Sequence, residues 1–320
     1  MKYRHLGKSG LKVSVIGLGG WLTLGRSLDS EATTLLVRSA FESGINFFDT
    51  ADVYTKGEAE KALGEAITGL RREDLVIATK CYWPMTEGVN DRGLSRKHIF
   101  ESVEGSLRRL GVDYVDLFQF HRYDAETPVE ESVRAMGDLI HQGKVLYWGV
   151  SEWTGEQIRD ACHIAGKVNV CRPISNQPQY NMLERYIEKE VLPICLDEGM
   201  GQVVWSPLAQ GVLTGKYEPG APLPSGSRAT DGKVSGFMAN YLEEKVLKAV
   251  SLLSPIAGEA GCSLAQFALA WCLHRPGISS CIVGATSEKQ LAENVAAAEV
   301  EIRPALFARA EEILDEALRP

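Results

Sequence analysis

The chain has 320 residues, 45% of them hydrophobic and 24% charged, with a formal net charge of −8. That balance is ordinary for a soluble globular protein, and the negative net charge argues against nucleic acid as the main partner, because that job needs a basic face. Seven cysteines without a C-x-x-C pair exclude zinc spacing and a disulfide framework, no apolar run approaches the ~18 residues of a membrane span, and no signal-peptide core follows the first methionine, so a cytoplasmic protein without membrane insertion is expected.

The elements recur in a regular order. YRHLGKSGLKVS (3–14) reads as a small hairpin, with Gly7 and Gly10 bracketing its turn. VSVIGLG (13–19) is the first strand, followed by a helical pattern over 30–43. INFFDTA (45–51) precedes a helix over 58–68, LVIATK (75–80) one over 96–109, and YVDLFQFH (114–121) one over 129–142. VLYWGVS (145–151) precedes 155–165, PISNQPQY (173–180) precedes 184–198, and GQVVWSP (201–207) and SSCIVGAT (279–286) complete eight strands. Most strand starts lie about 30 residues apart, the size of one βαβ unit. The segment after the seventh strand is long, and its first part, 215–236, is rich in Gly, Pro and Ser, which marks a functional or disordered loop. A last helix covers 305–317.

Eight units of this kind predict an α/β chain closed as a (β/α)8 barrel, one domain over 1–320, with an N-terminal hairpin over one end. An open doubly wound sheet is disfavoured: its dinucleotide fingerprint needs a third glycine after the first strand, where Leu22 stands.

In such a barrel the active-site face lies at the C-terminal ends of the strands. There the sequence puts Asp49 and Tyr54 after strand two, Lys80 at the end of strand three and His121 at the end of strand four, with Ser151, Asn176, Gln177, Trp205 and Ser206 further round. Singly, each has a plainer explanation: a turn aspartate, a surface tyrosine, a solvated lysine, a core histidine. Together they make coherent chemistry. Asp49 can hold Lys80, and the lysine's charge can lower the pKa of Tyr54, whose ordinary value of about 10 is high for a proton donor. His121 can hydrogen-bond and orient a carbonyl oxygen. Trp21, Tyr82, Trp83 and Tyr123 suggest an aromatic-walled pocket for small aldehydes or flat carbonyls. A metal-dependent hydrolase is disfavoured, because HxH is absent and only one strand-end histidine is seen.

GINFFDTADVY (44–54), ATK (78–80) and LFQFH (117–121) resemble the aldo-keto reductase signature. LGKSGLKVS (6–14), YWGVSEW (147–153), NQPQYN (176–181), WSPLAQGVLTGKY (205–217) and GATSEKQLAENV (284–295) are similar to the branch that contains the voltage-gated potassium channel β subunits. The resemblance runs over essentially the whole chain. It implies the barrel, NADPH-dependent reduction of a small carbonyl substrate, and a catalytic tetrad carried onto Tyr54, Lys80, Asp49 and His121. It further implies that Ser151 and Gln177 hold the nicotinamide carboxamide and that Trp205 stacks on the ring. Ser206, Leu208, Gly211, Lys216 and Arg228 would line the pyrophosphate region, Gly284, Thr286 and Gln290 the 2′-phosphate, and Glu293 and Asn294 the adenine. Gly20, Trp21, Glu152 and Pro207 complete the expected NADPH/NADP+ set. Animal channel β subunits carry a basic residue where Glu152 stands.

The branch also implies a homotetramer, and a second function class: a binding module whose cofactor occupancy is sensed by a partner protein. The complete tetrad and the lack of a long segment before the hairpin favour the enzyme.

Overall fold

The computed structural model describes residues 1–232 and 235–319; Lys233 and Val234, in the predicted long loop, and Pro320 lie outside the described residues. The chain opens with an antiparallel hairpin, β1 (Tyr3–His5) and β2 (Lys12–Ser14). The barrel strands follow: β3 (Ile16–Gly19), β4 (Phe47–Asp49), β5 (Val76–Cys81), β6 (Val115–Phe120), β7 (Val145–Val150), β8 (Ser175–Asn176), β9 (Gly201–Val204) and β10 (Ile278–Val283). They close in the order β10-β3-β4-β5-β6-β7-β8-β9, and each neighbouring pair is parallel.

Helices α1 (Ser30–Glu42), α2 (Glu58–Ile67), α3 (Arg96–Leu110), α4 (Val129–His141), α5 (Gly155–Lys167) and α6 (Val191–Glu198) return the chain after β3 to β8. Between β9 and β10 lie α7 (Glu244–Ser251), α8 (Ser254–Glu259) and α9 (Leu264–His274); α10 (Glu288–Ala296) and α11 (Pro304–Ala317) follow β10. Local chemistry starts several of these helices. Thr154 with Gln157, and Ser263 with Gln266, form reciprocal capping boxes before α5 and α9. None of the described helices is by itself long and apolar enough to cross a membrane.

Three predicted elements are redrawn. The first predicted strand is divided, because Val13 belongs to the hairpin and only residues from Ile16 join the barrel. The predicted strand 173–180 shrinks to two residues, since Pro173 and Pro178 have no N–H to donate to a ladder. The helix predicted from 184 is delayed to Val191 behind a short 3-10 turn at Tyr186–Glu188.

Strand side chains alternate between the barrel interior and the surrounding helices. Phe47, Val76, Ala78, Leu117, Val203 and Ile282 form the inner core, and Leu6 and Val13 of the hairpin join it, so the hairpin seals the end of the barrel opposite the strand C-termini. Gly7 makes that seal possible. Its φ of +59° suits glycine, and a Cβ there would stand 2.2 Å from the Gly199 carbonyl oxygen. Ile77, Phe118 and Phe120 point the other way, into the larger core beneath the helices.

Candidate active site

The period-two alternation decides which polar side chains reach the site. Two residues beyond inward-facing Phe47, Ala78 and Val203 come Asp49, Lys80 and Trp205; His121 and Gln177 share that phase. Asn176 is out of phase and donates instead to Gln202 on β9, at 3.0 Å, so the structure removes it from the strand-end set.

Lys80 is fully buried, and its ammonium places all three of its donors. It donates to Asp49 Oδ2 at 2.6 Å, to the Thr50 carbonyl at 2.7 Å and to the Tyr54 hydroxyl at 3.4 Å. The other Asp49 oxygen accepts from Gln177 Nε2 at 2.8 Å, and the Gln177 carbonyl accepts from Ser151 Oγ, also at 2.8 Å. A buried charge is tolerated only when paired and hydrogen-bonded, and this network meets that condition on both sides.

The electrostatics follow. Burial alone would lower the pKa of the Lys80 ammonium, but Asp49 and Tyr54 outweigh it and the net direction is upward. The Tyr54 phenol is also pushed up: burial of the hydroxyl exceeds the opposing pull of Lys80. This corrects the expectation that the lysine would lower the pKa of Tyr54 below its ordinary value. The direction reverses because burial of the group outweighs the charge of its neighbour. Burial, with Lys80 and Arg122 adding to it, holds His121 well below the usual histidine range, so the ring is neutral at physiological pH. Its Nδ1 is buried without a partner, while Nε2 opens toward the cavity, and the ring meets Tyr54 edge-on at 5.9 Å.

These groups border a cavity of about 980 Å³. Trp21, Trp83, Asp49, Tyr54 and His121 lie on its wall. So do Ser151, Gln177, Trp205, Ser206, Pro207 and Leu208, and on the far side Gly211, Lys216, Arg228, Gly284, Thr286, Gln290, Glu293 and Asn294. Lys80 stands behind Tyr54, off the wall.

Four further expected residues are not on the wall. Gly20 is used by its backbone, donating to the Asp49 carbonyl at 2.8 Å. Tyr82 packs edge-on against Trp83 at 4.9 Å, and Tyr123 against Trp153 at 4.9 Å, which turns both from wall to support. Glu152 backs Trp205: Oε1 accepts from the indole Nε1 at 2.8 Å and from the Gln179 N–H at 2.6 Å, and Oε2 accepts from the Tyr186 hydroxyl at 2.7 Å. Its φ of +58° is strained for a glutamate, and that strain aims the carboxylate behind the indole.

The sequence reading missed Arg26, Arg122 and Gln210, all on the wall. Arg122 had a signal, since it directly follows the strand-end histidine. Gln210 belongs to a loop after β9 in which Ser206, Ala209 and Gln210 all have positive φ, between 47° and 58°. Such strain concentrates at functional sites. Arg228 donates to Gln210 Oε1 at 2.6 Å, and Arg26 pairs with Asp231 at 2.9 Å, so the long loop is clasped down over this part of the cavity. The backbone at Gly284 and Gly211 passes close to cations: Cβ atoms there would lie 3.1 Å from Arg228 Nη2 and 3.0 Å from Lys216 Nζ.

Comparison with known proteins agrees with this geometry. The model of the Aldo/keto reductase family matches residues 15–315. A probable voltage-gated potassium channel subunit beta of Arabidopsis thaliana is 48% identical over 303 residues, covering 94% of this chain and 92% of that protein. A protein of the same description from Oryza sativa subsp. japonica is 46% identical over 303 residues, with 94% and 92% coverage. A putative voltage-gated potassium channel subunit beta of Schizosaccharomyces pombe is 44% identical over 320 residues, with 98% and 93% coverage. A closed parallel barrel with a paired lysine and a tyrosine at its strand ends, matched by that family model across nearly its full length, places this chain in the aldo/keto reductase family of oxidoreductases.

Proposed function

We propose that this chain is an NADPH-dependent reductase of small aldehydes or ketones in which Tyr54 is the proton donor. The observation that carries the proposal is the three-way donation of Lys80. Because the lysine already donates to the Tyr54 oxygen, the phenol keeps its own proton for another acceptor, and Tyr54 lines the cavity in which a substrate would sit.

The family generally uses NAD(P)H, and the residues present fit such a group. The cavity is large enough for an extended ligand, and Lys216, Arg228 and the glycines at 211 and 284 offer cations and close backbone approach where phosphates would lie. Ser151 and Gln177 would hold the carboxamide, Trp205 would face the ring, and Thr286 and Gln290 would meet the 2′-phosphate. Glu293 and Asn294 would hold the adenine. The bound cofactor supplies the hydride. His121, neutral and open at Nε2, orients the substrate's carbonyl oxygen. Tyr54, protonated at neutral pH, donates its proton to that oxygen as negative charge develops there. The phenolate that remains is stabilised by Lys80, whose charge is in turn held by Asp49.

The test is Tyr54→Phe, which keeps the ring and removes the proton. Cofactor affinity, read by tryptophan fluorescence, is expected to survive, and NADPH should bind more tightly than NADH. Turnover of a good aldehyde is expected to fall on the order of 10²–10⁴-fold, the usual cost of losing a general acid. Turnover within a few-fold of wild type, with hydride transfer rate-limiting, defeats the tyrosine-acid assignment.

The names of the relatives favour a second reading, a cofactor-occupied binding protein that associates with a channel. It predicts negligible steady-state turnover across a panel of aldehydes, quinones and sugars despite tight cofactor binding. A cytoplasmic setting belongs to either reading, and all seven cysteines are unpaired, as a reducing compartment requires.

A further inference from the structure

Arg122 has no role in the proposed proton chemistry, yet it stands on the cavity wall next to His121 and on the same wall as Tyr54 and Trp83. One of its N–H groups donates to the His121 carbonyl at 2.6 Å, and its guanidinium faces the Trp83 ring at 6.0 Å. Among the described residues no carboxylate lies within 4.0 Å of it. The nearby acids are already engaged: Asp49 by Lys80 and Gln177, Glu152 by Trp205, Gln179 and Tyr186. The other wall cations are committed elsewhere. Arg26 pairs with Asp231, Arg228 donates to Gln210, and Lys216 lies against the Gly211 backbone. The guanidinium of Arg122 is therefore a cation beside the reacting groups with most of its donors unassigned, and its field is felt there, since it adds to the downward push on His121.

A guanidinium is a planar fork that matches an oxyanion by paired hydrogen bonds, and such bonds are about twice as strong as neutral ones. A neutral aldehyde makes no use of it. We propose that the substrate is a short aldehyde or ketone carrying an anionic group, a carboxylate or a phosphate, and that Arg122 binds that group while Tyr54 and His121 hold the carbonyl. This rests on the reductase reading and names its substrate class. Trp83, 41% exposed at the rim, supplies the apolar side of the same subsite.

Matched pairs of substrates test it: succinic semialdehyde against butanal, and glycolaldehyde phosphate against glycolaldehyde, each with NADPH at low ionic strength. The anionic member of at least one pair is expected to be favoured in kcat/KM on the order of 10–100-fold, mostly through KM, and which pair responds more strongly distinguishes carboxylate from phosphate. Arg122→Gln should collapse that ratio toward one, Arg122→Lys should keep part of it, and added salt should shrink it. Equal kcat/KM within both pairs, or a ratio unmoved by Arg122→Gln, overturns the proposal while leaving the reductase reading intact. Failure of all four compounds to be reduced counts against the reductase reading instead. The subsite is then decided without turnover, by whether succinate and inorganic phosphate change the tryptophan fluorescence of the NADP+-loaded wild type but not of the Arg122→Gln protein; no response in either overturns it.

Discussion

Two buried acids, Asp49 and Asp52, lie three residues apart and take opposite parts. Asp49 has a cation against it, so removing its charge strands one: Asp49→Asn is expected to destabilise the fold by about 3–5 kcal/mol, the usual cost of breaking a buried pair. Its effect on kcat should be smaller than that of Lys80→Met, which takes away the charge behind the tyrosine and is expected to cost on the order of 10²-fold or more. Denaturant titration beside steady-state kinetics separates the two effects. Among the described residues no cation pairs with Asp52. It accepts from Val53 N–H and Ser102, but burial and the nearby Glu60 push its carboxyl up to about 7 from an ordinary 3.8. A carboxyl whose pKa is raised by folding stabilises the fold only while protonated. Its contribution is intact below the unfolded value near 4, is lost as pH climbs toward 7, and stays lost above. Between pH 5 and pH 8 the wild type should therefore lose on the order of 2 kcal/mol that Asp52→Asn retains. Parallel denaturation curves for the two proteins across that range would show the burial of Asp52 to be compensated.

At the scale of elements, the turn after β7 and the bridge beyond β8 and β9 act as one device. Glu152 leaves β7 with a left-handed backbone, ties Gln179, Tyr186 and Trp205 together, and so fixes the plane of the indole that faces the proposed nicotinamide site. Glu152→Ala removes every acceptor at once and is expected to weaken cofactor binding by about tenfold or more, with a smaller change in the fluorescence quench that Trp205 reports. Glu152→Gln keeps an acceptor for the indole and should stay within a few-fold. Equal behaviour of the two variants would show that the carboxylate only fills space. The resemblance suggested a cofactor contact at this position; the register of the turn makes Glu152 a support behind that contact.

For the whole molecule, the branch resemblance implies a ring of four chains, and closed symmetry is the common outcome for homo-oligomers. Light scattering is expected to give a mass near four chains, and a value near the 35.0 kDa of one chain at micromolar concentration would remove the ring from the proposal.

Period and pattern determined the barrel. Eight apolar runs at one spacing, each followed by a helical stripe, leave few other ways to bury both faces of a parallel sheet, and the same runs set Asp49, Lys80 and His121 at one end of it. Opposite charges on neighbouring strand ends made the Asp49–Lys80 pair legible as well. The remainder depended on three dimensions. Side-chain phase, which a single proline-interrupted strand leaves ambiguous, turned Asn176 outward and Gln177 toward Asp49. Local density, absent from any linear spacing, raised the pKa of Tyr54 where its neighbour's charge argued for a fall. Backbone strain at Glu152 and in the loop at 206–210 chose which polar groups face the cavity and which stand behind it, because a left-handed turn taken by a residue other than glycine is imposed by the packing around it and leaves no mark in the sequence.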